Sequence, residues 1–361
     1  MDDFFEVDFL PVGTSKSGDA ITIRYRVNGV NRIHVVDGGY QETGDSVVAH
    51  INKYYESPDL IDHVVVTHPD GDHAGGLRKV LESFDVGMLW MNRPWLYATE
   101  LIDRFSKFTS VDNLERRLKD LYPSIAALEE IALERGVEIR EVFQGAKVGE
   151  FCVLSPSRER YFDLIVQSER TPDEAKSESM SAEAVGFLEA GLKKAVDFFK
   201  AIWGEERFSD QETSAENEMS VVQFARLCSK RILLTGDAGR TALTDAADYA
   251  PTVGLTLPGI DRIQIPHHGS RRNVSTEILD RWLGERLPVK PAEGDETFTA
   301  IVSAAKDDEE HPRKAVRRGF NHRGAAVKKT KGNILQTGHN APEREGWSPA
   351  PSMPYPEDHE V

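Results

Sequence analysis

The chain has 361 residues, 39% hydrophobic and 29% charged, with a formal net charge of −16. That length holds one large α/β domain or two ordinary ones, and the acidic balance argues against a broadly cationic nucleic-acid-binding surface. No apolar run reaches bilayer-spanning length, and the acidic start Met1-Asp2-Asp3 lacks the basic and apolar regions of a signal peptide, so a soluble cytoplasmic protein is expected.

Strands alternate with helices along the chain. Phe4–Val12, Ala20–Val27 and Arg32–Val36 read as short strands broken by Gly and Asn turns. Ser46–Tyr55 suits a helix, and Ile61–Val66 is an apolar strand leading into Thr67-His68-Pro69-Asp70-Gly71-Asp72-His73-Ala74-Gly75-Gly76. Gly75-Gly76 is expected to turn the backbone tightly into a helix at Leu77–Phe84, ahead of a strand at Gly87–Met91. Helical periodicity marks the second half of Leu101–Arg135, with Pro123 marking a break or a new helix start, and Phe151–Leu154 reads as a strand. Thr171–Trp203 is a polar, acidic helical insertion with one apolar face. Strands return at Ser220–Ala225, Arg231–Thr235, Arg262–Ile265 and Thr299–Ser303. The 21 residues from Ala341 hold five prolines and little periodic apolarity, which predicts a disordered or draped tail. No internal repeat is evident. The two cysteines, Cys152 and Cys228, lie in apolar, strand-like stretches and read as buried free thiols, which fits a reducing compartment.

The segment after Ile61–Val66 places four metal-ligand side chains, His68, Asp70, Asp72 and His73, within six residues. Such a density of imidazole and carboxylate is costly to bury unless a cation neutralises and orients it. An Asp/Gly turn capping the next helix is the competing reading, but capping does not require two histidines. Two later segments share the layout of an apolar strand ending in a ligand-type residue: Asp237 after Arg231–Thr235, and His267-His268 after Arg262–Ile265. In layered α/β folds that carboxyl edge is where sites are built.

Charge is uneven. Residues 158–218 carry 15 acidic and 8 basic residues, whereas His311 to Gly332 holds eight Lys or Arg and no acid. The basic stretch reads either as a solvated helix face plus a turn or as a phosphate-contacting rim.

His68-Pro-Asp70-Gly-Asp72-His73 with Gly75-Gly76 resembles the signature of the metallo-β-lactamase fold. It is most similar to the branch of ComEC-type competence DNA-uptake proteins, which commonly carry Asp at the place of Asp70. Further marks follow in order: Asp8-Phe9-Leu10-Pro11-Val12-Gly13, Gly18-Asp19-Ala20-Ile21, Val36-Asp37-Gly38-Gly39, Asn217-Glu218-Met219-Ser220, Leu233-Leu234-Thr235-Gly236-Asp237, Pro266-His267-His268-Gly269-Ser270 and His311-Pro312. The resemblance spans roughly 4–335. It implies an α/β, four-layer αββα sandwich over 1–340, with helical insertions about 99–145 and 157–215 and a Pro-rich tail over 341–361. The membrane channel of the uptake proteins has no counterpart here, so a free-standing relative is expected.

Carried over by position, the resemblance implies that His68 and Asp70 serve a first metal and Asp72 and His73 a second, with Asp237 bridging. His268 would be the last ligand, and His267 would lie behind it or assist a leaving group. The usual third-motif His is missing; Glu216 and Asn217 occupy its region, which makes the first site carboxylate-rich and Mn²⁺ as suitable as Zn²⁺, one ion or two. Asp37 has either an orienting or an ordinary turn role. The implied activity is metal-dependent phosphodiester hydrolysis by a metal-activated hydroxide, with DNA or another nucleic acid as substrate. Asp72 would orient the water, His311 would protonate the leaving oxygen, and Arg271, Arg272, Arg313, Lys314, Arg317 and Arg318 would contact phosphate. Two alternatives remain: a small ester, thioester or lactam hydrolase, and a non-catalytic regulatory protein with a degenerate site. No membrane partner is expected, and the acidic insertion is a candidate surface for a protein partner.

Overall fold

The computed structural model describes residues 2–168, 170 and 202–359. Two seven-stranded sheets pack face to face. The first contains β1 (Phe4–Phe9), β2 (Ala20–Val27), β3 (Val30–Gly38), β4 (Leu60–Val65), β5 (Asp85–Trp90) and β6 (Ile139–Arg140) in chain order, and β14 (Leu335–His339) pairs with the outer edge of β1. The second runs β13 (Ala325–Lys329), β12 (Phe298–Val302), β11 (Arg262–Gln264), β10 (Lys230–Leu234), β9 (Val222–Leu227), β8 (Phe151–Ser155) and β7 (Lys147–Val148).

The period of two in the strands builds the layers. Along β2, Ile21, Ile23 and Tyr25 point into the space between the sheets; along β10, Ile232 and Leu234 meet them from the other side. The alternate residues face outward, Ile33 and Val35 of β3 toward one helical layer and Leu233 of β10 toward another. Helices 44–54, 77–83, 111–121 and 123–134 cover the first sheet, and helices 240–249, 276–283 and 314–321 cover the second. This is the four-layer αββα sandwich.

Each sheet has four strands joined antiparallel, then three added in parallel: β14-β1-β2-β3 continues into β4-β5-β6, and β7-β8-β9-β10 continues into β11-β12-β13. The pattern recurs without recurring residues, because a strand order can be met by any suitably apolar sequence.

Other expectations shift by a few residues or gain elements. Of the two readings at Pro123 the new helix start holds, with Pro123 at its first position. The Gly75-Gly76 pair does not supply unusual backbone angles: Gly75 has φ −59° and Gly76 φ −73°. What it supplies is clearance, since a Cβ on Gly76 would run into the Gly38 carbonyl and one on Gly38 would come within 2.6 Å of Leu77 N. Cys152 is buried as expected, but Cys228 is only half-buried; both thiols are free. Most of the acidic helical insertion, residues 171–201, lies outside the described residues. Among the described residues, no helix is long and apolar enough to cross a membrane.

The disordered alternative for the tail is corrected over 341–359, which runs against the body. Arg344 reaches Glu6 and Asp8, Met353 N donates to Val327 O at 2.7 Å, and Tyr355 OH lies 3.0 Å from His322 Nε2. These contacts exist because the tail carries Arg and aromatic side chains at intervals among its prolines, a signal that average composition hides.

Glu206 joins the second helical layer together. It accepts from Thr276 Oγ1 at 2.6 Å and Arg323 Nη1 at 2.7 Å, with His322 Nδ1 at 2.9 Å. Burial raises its pKa, but these donors outweigh burial and bring it from 4.5 to about 2. A lowered folded value means that the stabilisation is complete above pH 4.5 and is lost as pH falls from there toward 2. Urea unfolding at pH 7, 4.5 and 3 should show a steep loss across the last interval, and Glu206→Gln should flatten it. Equal slopes in the two proteins would refute the assignment.

Candidate metal centre

The carboxyl ends of β3, β4, β10 and β11 meet at one edge of the sandwich. Asp37, at the end of β3, takes a left-handed conformation (φ 56°) that aims its carboxylate at the loop after β4. Its Oδ1 accepts from Thr67 N at 2.9 Å, and its Oδ2 accepts from Thr67 Oγ1 at 2.6 Å and faces His73 Nδ1 at 2.7 Å. Of the two readings offered for Asp37, the orienting one describes these contacts. At the end of β11, His267 and His268 both have positive φ, 46° and 55°. Such angles cost on the order of 1–3 kcal/mol each for a non-glycine residue, so the loop is held in shape by its surroundings.

Four imidazoles converge on Asp237. His73 Nε2 lies 3.4 Å from Asp237 Oδ1, and His68, His267 and His268 present Nε2 at 3.9, 3.7 and 3.9 Å from Oδ2. In every case the other ring nitrogen is tied. His68 Nδ1 meets Thr67 Oγ1 at 3.1 Å, His73 Nδ1 meets Asp37, His267 Nδ1 meets Asn273 Oδ1 at 3.0 Å, and His268 Nδ1 meets Ser303 O at 3.1 Å. The Asn273 amide is oriented by donating from Nδ2 to Asp237 O at 2.8 Å, so its Oδ1 accepts from His267. Tying Nδ1 leaves each Nε2 lone pair aimed inward, the arrangement that readies histidine for a metal.

Buried Nε2 of His68, His73 and His268, together with Asp237 Oδ1 and Asp19 Oδ1, has no hydrogen-bond partner among the described residues. A buried donor or acceptor left unpaired costs about 1–3 kcal/mol, and five in one place call for a cation. Three groups have ligand atoms all within 4.8 Å of one another: His68, His73 and Asp237; Asp72, His73 and His268; Asp19, Asp237 and His268. The donor set of imidazoles and carboxylates fits a divalent metal.

Electrostatics agrees with this geometry. Burial pushes the His68 and His268 pKa values down, keeping both rings neutral as ligands must be. Burial acts the same way on His73, but Asp237 and Asp37 outweigh it and raise its pKa. Burial alone would raise Asp237; the neighbouring His73, His267 and His268 hold it well below the ordinary carboxylate range.

The sequence-based assignments fare unevenly. Asp72 stands half-buried beside His73 and His268. His267 is more exposed than His268 and belongs to none of the three groups. Asp70 also lies outside them: its Oδ2 is 3.8 Å from His68 Nε2, but its Oδ1 is paired with Arg170 at 2.8 Å. Glu216 and Asn217 do not replace the missing histidine as ligands. Glu216 accepts from Ser168 Oγ, and Asn217 Nδ2 donates to Thr213 Oγ1 at 2.7 Å.

Asp19 carries no site assignment from sequence, yet it closes the third group. Burial pushes its carboxyl up to about 7, and its Oδ2 accepts from Gln264 Nε2 at 2.9 Å. Its sequence signals are the Gly18-Asp19-Ala20-Ile21 mark, which gives it no role, and a carboxylate just before a strand; what makes it part of the centre is the packing of one sheet on the other.

The rim differs most from expectation. His311 shares its loop with Arg313, whose backbone N–H donates to Gly269 O at 3.0 Å, so it lies near the His267 loop. His311 Nδ1 meets Asp308 Oδ2 at 3.1 Å, and Asp308 is held ionised because His311 and its backbone N–H outweigh burial. Burial lowers the His311 pKa, against the pull of Asp308. Arg317 donates to Pro354 O, and Arg318 is fully buried, donating to Ile202 O at 2.6 Å and Pro356 O at 2.9 Å. Arg313 pairs with Glu310 at 2.7 Å. Arg317 and Arg318 thus anchor the tail instead of forming a phosphate rim, and their helix 314–321 passes through a turn at 322–324 into β13. Arg271 and Arg272 are half-buried in the loop just after His268, and neither forms an ion pair among the described residues.

Residues 25–141 match the model of the Metallo-beta-lactamase superfamily. No curated protein matches the sequence. Among solved structures, the metallo-beta-lactamase fold protein YhfI from Bacillus subtilis is similar at 9% identity, covering 93% of this chain and 100% of its own, with a TM-score of 0.41. CmlA, a diiron beta-hydroxylase from Streptomyces venezuelae, is similar at 14% identity over 93% of this chain and 54% of its own, with a TM-score of 0.37.

Proposed function

From the premise that this chain carries a metallo-beta-lactamase superfamily domain, we propose that it is a metal-dependent hydrolase of phosphodiesters, with nucleic acid as its substrate class. The observation that carries the choice of substrate is the Arg271-Arg272 pair, two guanidinium groups without acidic partners among the described residues, on the loop that holds His267 and His268. Arginine matches phosphate oxygens in a planar, bidentate way, and this pair would bind the diester at the edge of the centre. The likeness of the Asp70 motif to DNA-uptake proteins supports the same substrate.

His68, His73, Asp237 and His268, with Asp19 and Asp72 alongside, would hold the metal. A bound divalent ion supplies Lewis acidity, lowering the pKa of water and neutralising charge on a phosphoryl oxygen. The chain supplies the rest. Asp72, half-buried and beside His73 and His268, is placed to take a proton from the attacking water at its carboxylate. The Asp37–His73 and Ser303–His268 contacts keep the imidazoles from turning.

Purified protein should cleave labelled DNA, RNA or bis(p-nitrophenyl) phosphate in Mn²⁺ or Zn²⁺. Hydrolysis confined to ester, thioester or lactam reporters would overturn the phosphodiester reading, and turnover of none would favour a regulatory protein. Arg271→Ala and Arg272→Ala should each weaken nucleic-acid binding about equally across sequences and lower the salt slope by about 1. An unchanged slope in both variants would remove these arginines from the phosphate contact.

A further inference from the structure

Beside the metal centre a positive charge stands against two carboxylates. Arg170 Nη2 lies 2.8 Å from Asp70 Oδ1, and its Nε lies 3.6 Å from Glu216 Oε1. Glu216 is nearly buried and is held by the Ser168 hydroxyl, while the guanidinium lies 6.0 Å from the centroid of the Tyr122 ring. Two carboxylates near the metal edge are therefore bridged by one cation that belongs to the chain. We propose that the Arg170 guanidinium takes the place of one ion's charge, so that the centre holds a single divalent ion per chain, on the Asp237 side.

Two further observations point the same way. The three groups able to close on an ion overlap pairwise, sharing His73, Asp237 or His268, and so gather on the Asp237 side. None of them includes Asp70 or Glu216. An ion drawn to Asp70 Oδ1 would stand beside a guanidinium of like charge at hydrogen-bond distance, and like charges in a partly buried site repel strongly. Arg170 acts here as a positioning residue: it holds Asp70 by Oδ1, while Oδ2 stays 3.8 Å from His68 Nε2, and it neutralises the carboxylate that a second ion would need, leaving the chemistry to Asp237 and its histidines. The inference rests on the metal-centre reading. It does not depend on the substrate.

The test is metal stoichiometry of the full chain after loading with excess Mn²⁺ and removal of free ion, measured by elemental analysis. The intact protein should retain about one ion per chain. Arg170→Ala should retain about two, because Asp70 and Glu216 are released, and Arg170→Lys should return the value to about one. Asp70→Asn in the otherwise intact chain should leave the single ion in place, which keeps the proposal testable where Arg170→Ala folds poorly. Two ions in the intact protein, one ion in a folded Arg170→Ala variant, or loss of the ion in Asp70→Asn would each overturn the proposal. A failure to cleave phosphodiesters would leave these stoichiometries untouched, so the two readings can fail separately.

Discussion

Asp237→Asn is expected to strip the protein of bound metal and hydrolytic activity while leaving it folded. The carboxylate is the one group that all four inward-facing imidazoles share, at 3.4–3.9 Å. Its removal takes the shared anion away from three buried Nε2 atoms and leaves Asp19 and Asp72 as the carboxylates of the three ligand groups. Losing an anionic partner from a buried charged site costs about 3–5 kcal/mol, on the order of 10³ in metal affinity. The backbone of Asp237 does not depend on the carboxylate. Its N–H donates to Ser220 Oγ at 3.1 Å, and its carbonyl accepts from Asn273 Nδ2. The loop should therefore survive the isosteric change. Metal content and turnover, measured beside a thermal melt of the metal-free proteins, check the claim. Near-normal turnover by Asp237→Asn would refute the central role of this residue.

The second large effect lies far from the centre. Arg344→Ala should destabilise the protein by about 3–5 kcal/mol, because it leaves two buried carboxylates with one guanidinium between them. Arg344 donates to Asp8 at 3.0 and 2.7 Å and to Glu6 at 2.7 Å, and both acids are completely buried. Arg24 reaches Glu6 at 2.7 Å, and His50 and Tyr55 meet Asp8, but none of these compensates both acids. Burial raises the Glu6 pKa even with Arg344 present, so loss of that arginine should raise it further, making the deficit largest at neutral pH and smaller as pH falls and Glu6 takes up its proton. The Arg344 side chain also stacks between Tyr54 and Trp347, at 4.5 and 4.6 Å from their ring centroids. Urea unfolding measures the effect. In Glu6→Gln/Arg344→Ala, part of the loss should be recovered, since one unpaired charge is gone. An unchanged midpoint in Arg344→Ala would show the tail to be dispensable.

The three strand-end motifs were legible because the chemistry of a buried imidazole or carboxylate is local: an apolar run stops, and a costly side chain follows. His68, His73, Asp237 and His268 could be nominated that way. Asp19 could not, since its partner Gln264 is 245 residues away and the contact exists only after the sheets pack. Arg170 sits in a stretch whose composition says only that it is polar. The arginines of helix 314–321 were misleading for a different reason. A cluster of basic residues looks the same whether it faces solvent or, as Arg318 does, donates into backbone carbonyls of another segment. Charge is written in the sequence; the acceptor that meets it is not.

The repeated sheet topology divides the centre between two halves of the chain. Asp19, His68, Asp72 and His73 come from the first sheet's connections, and Asp237 and His268 come from the second's. An ion held by both would work as a clasp, and its binding energy would resist separation of the sheets as well as serve chemistry. Binding to the native state alone stabilises by RT ln(1 + [L]/Kd), about 2.7 kcal/mol at a hundredfold excess over Kd. Chelation would then loosen the seam between the halves before either half lost its own core. The resident cation would act as a reversible cross-link, set by the metal supply of the compartment in which the protein folds.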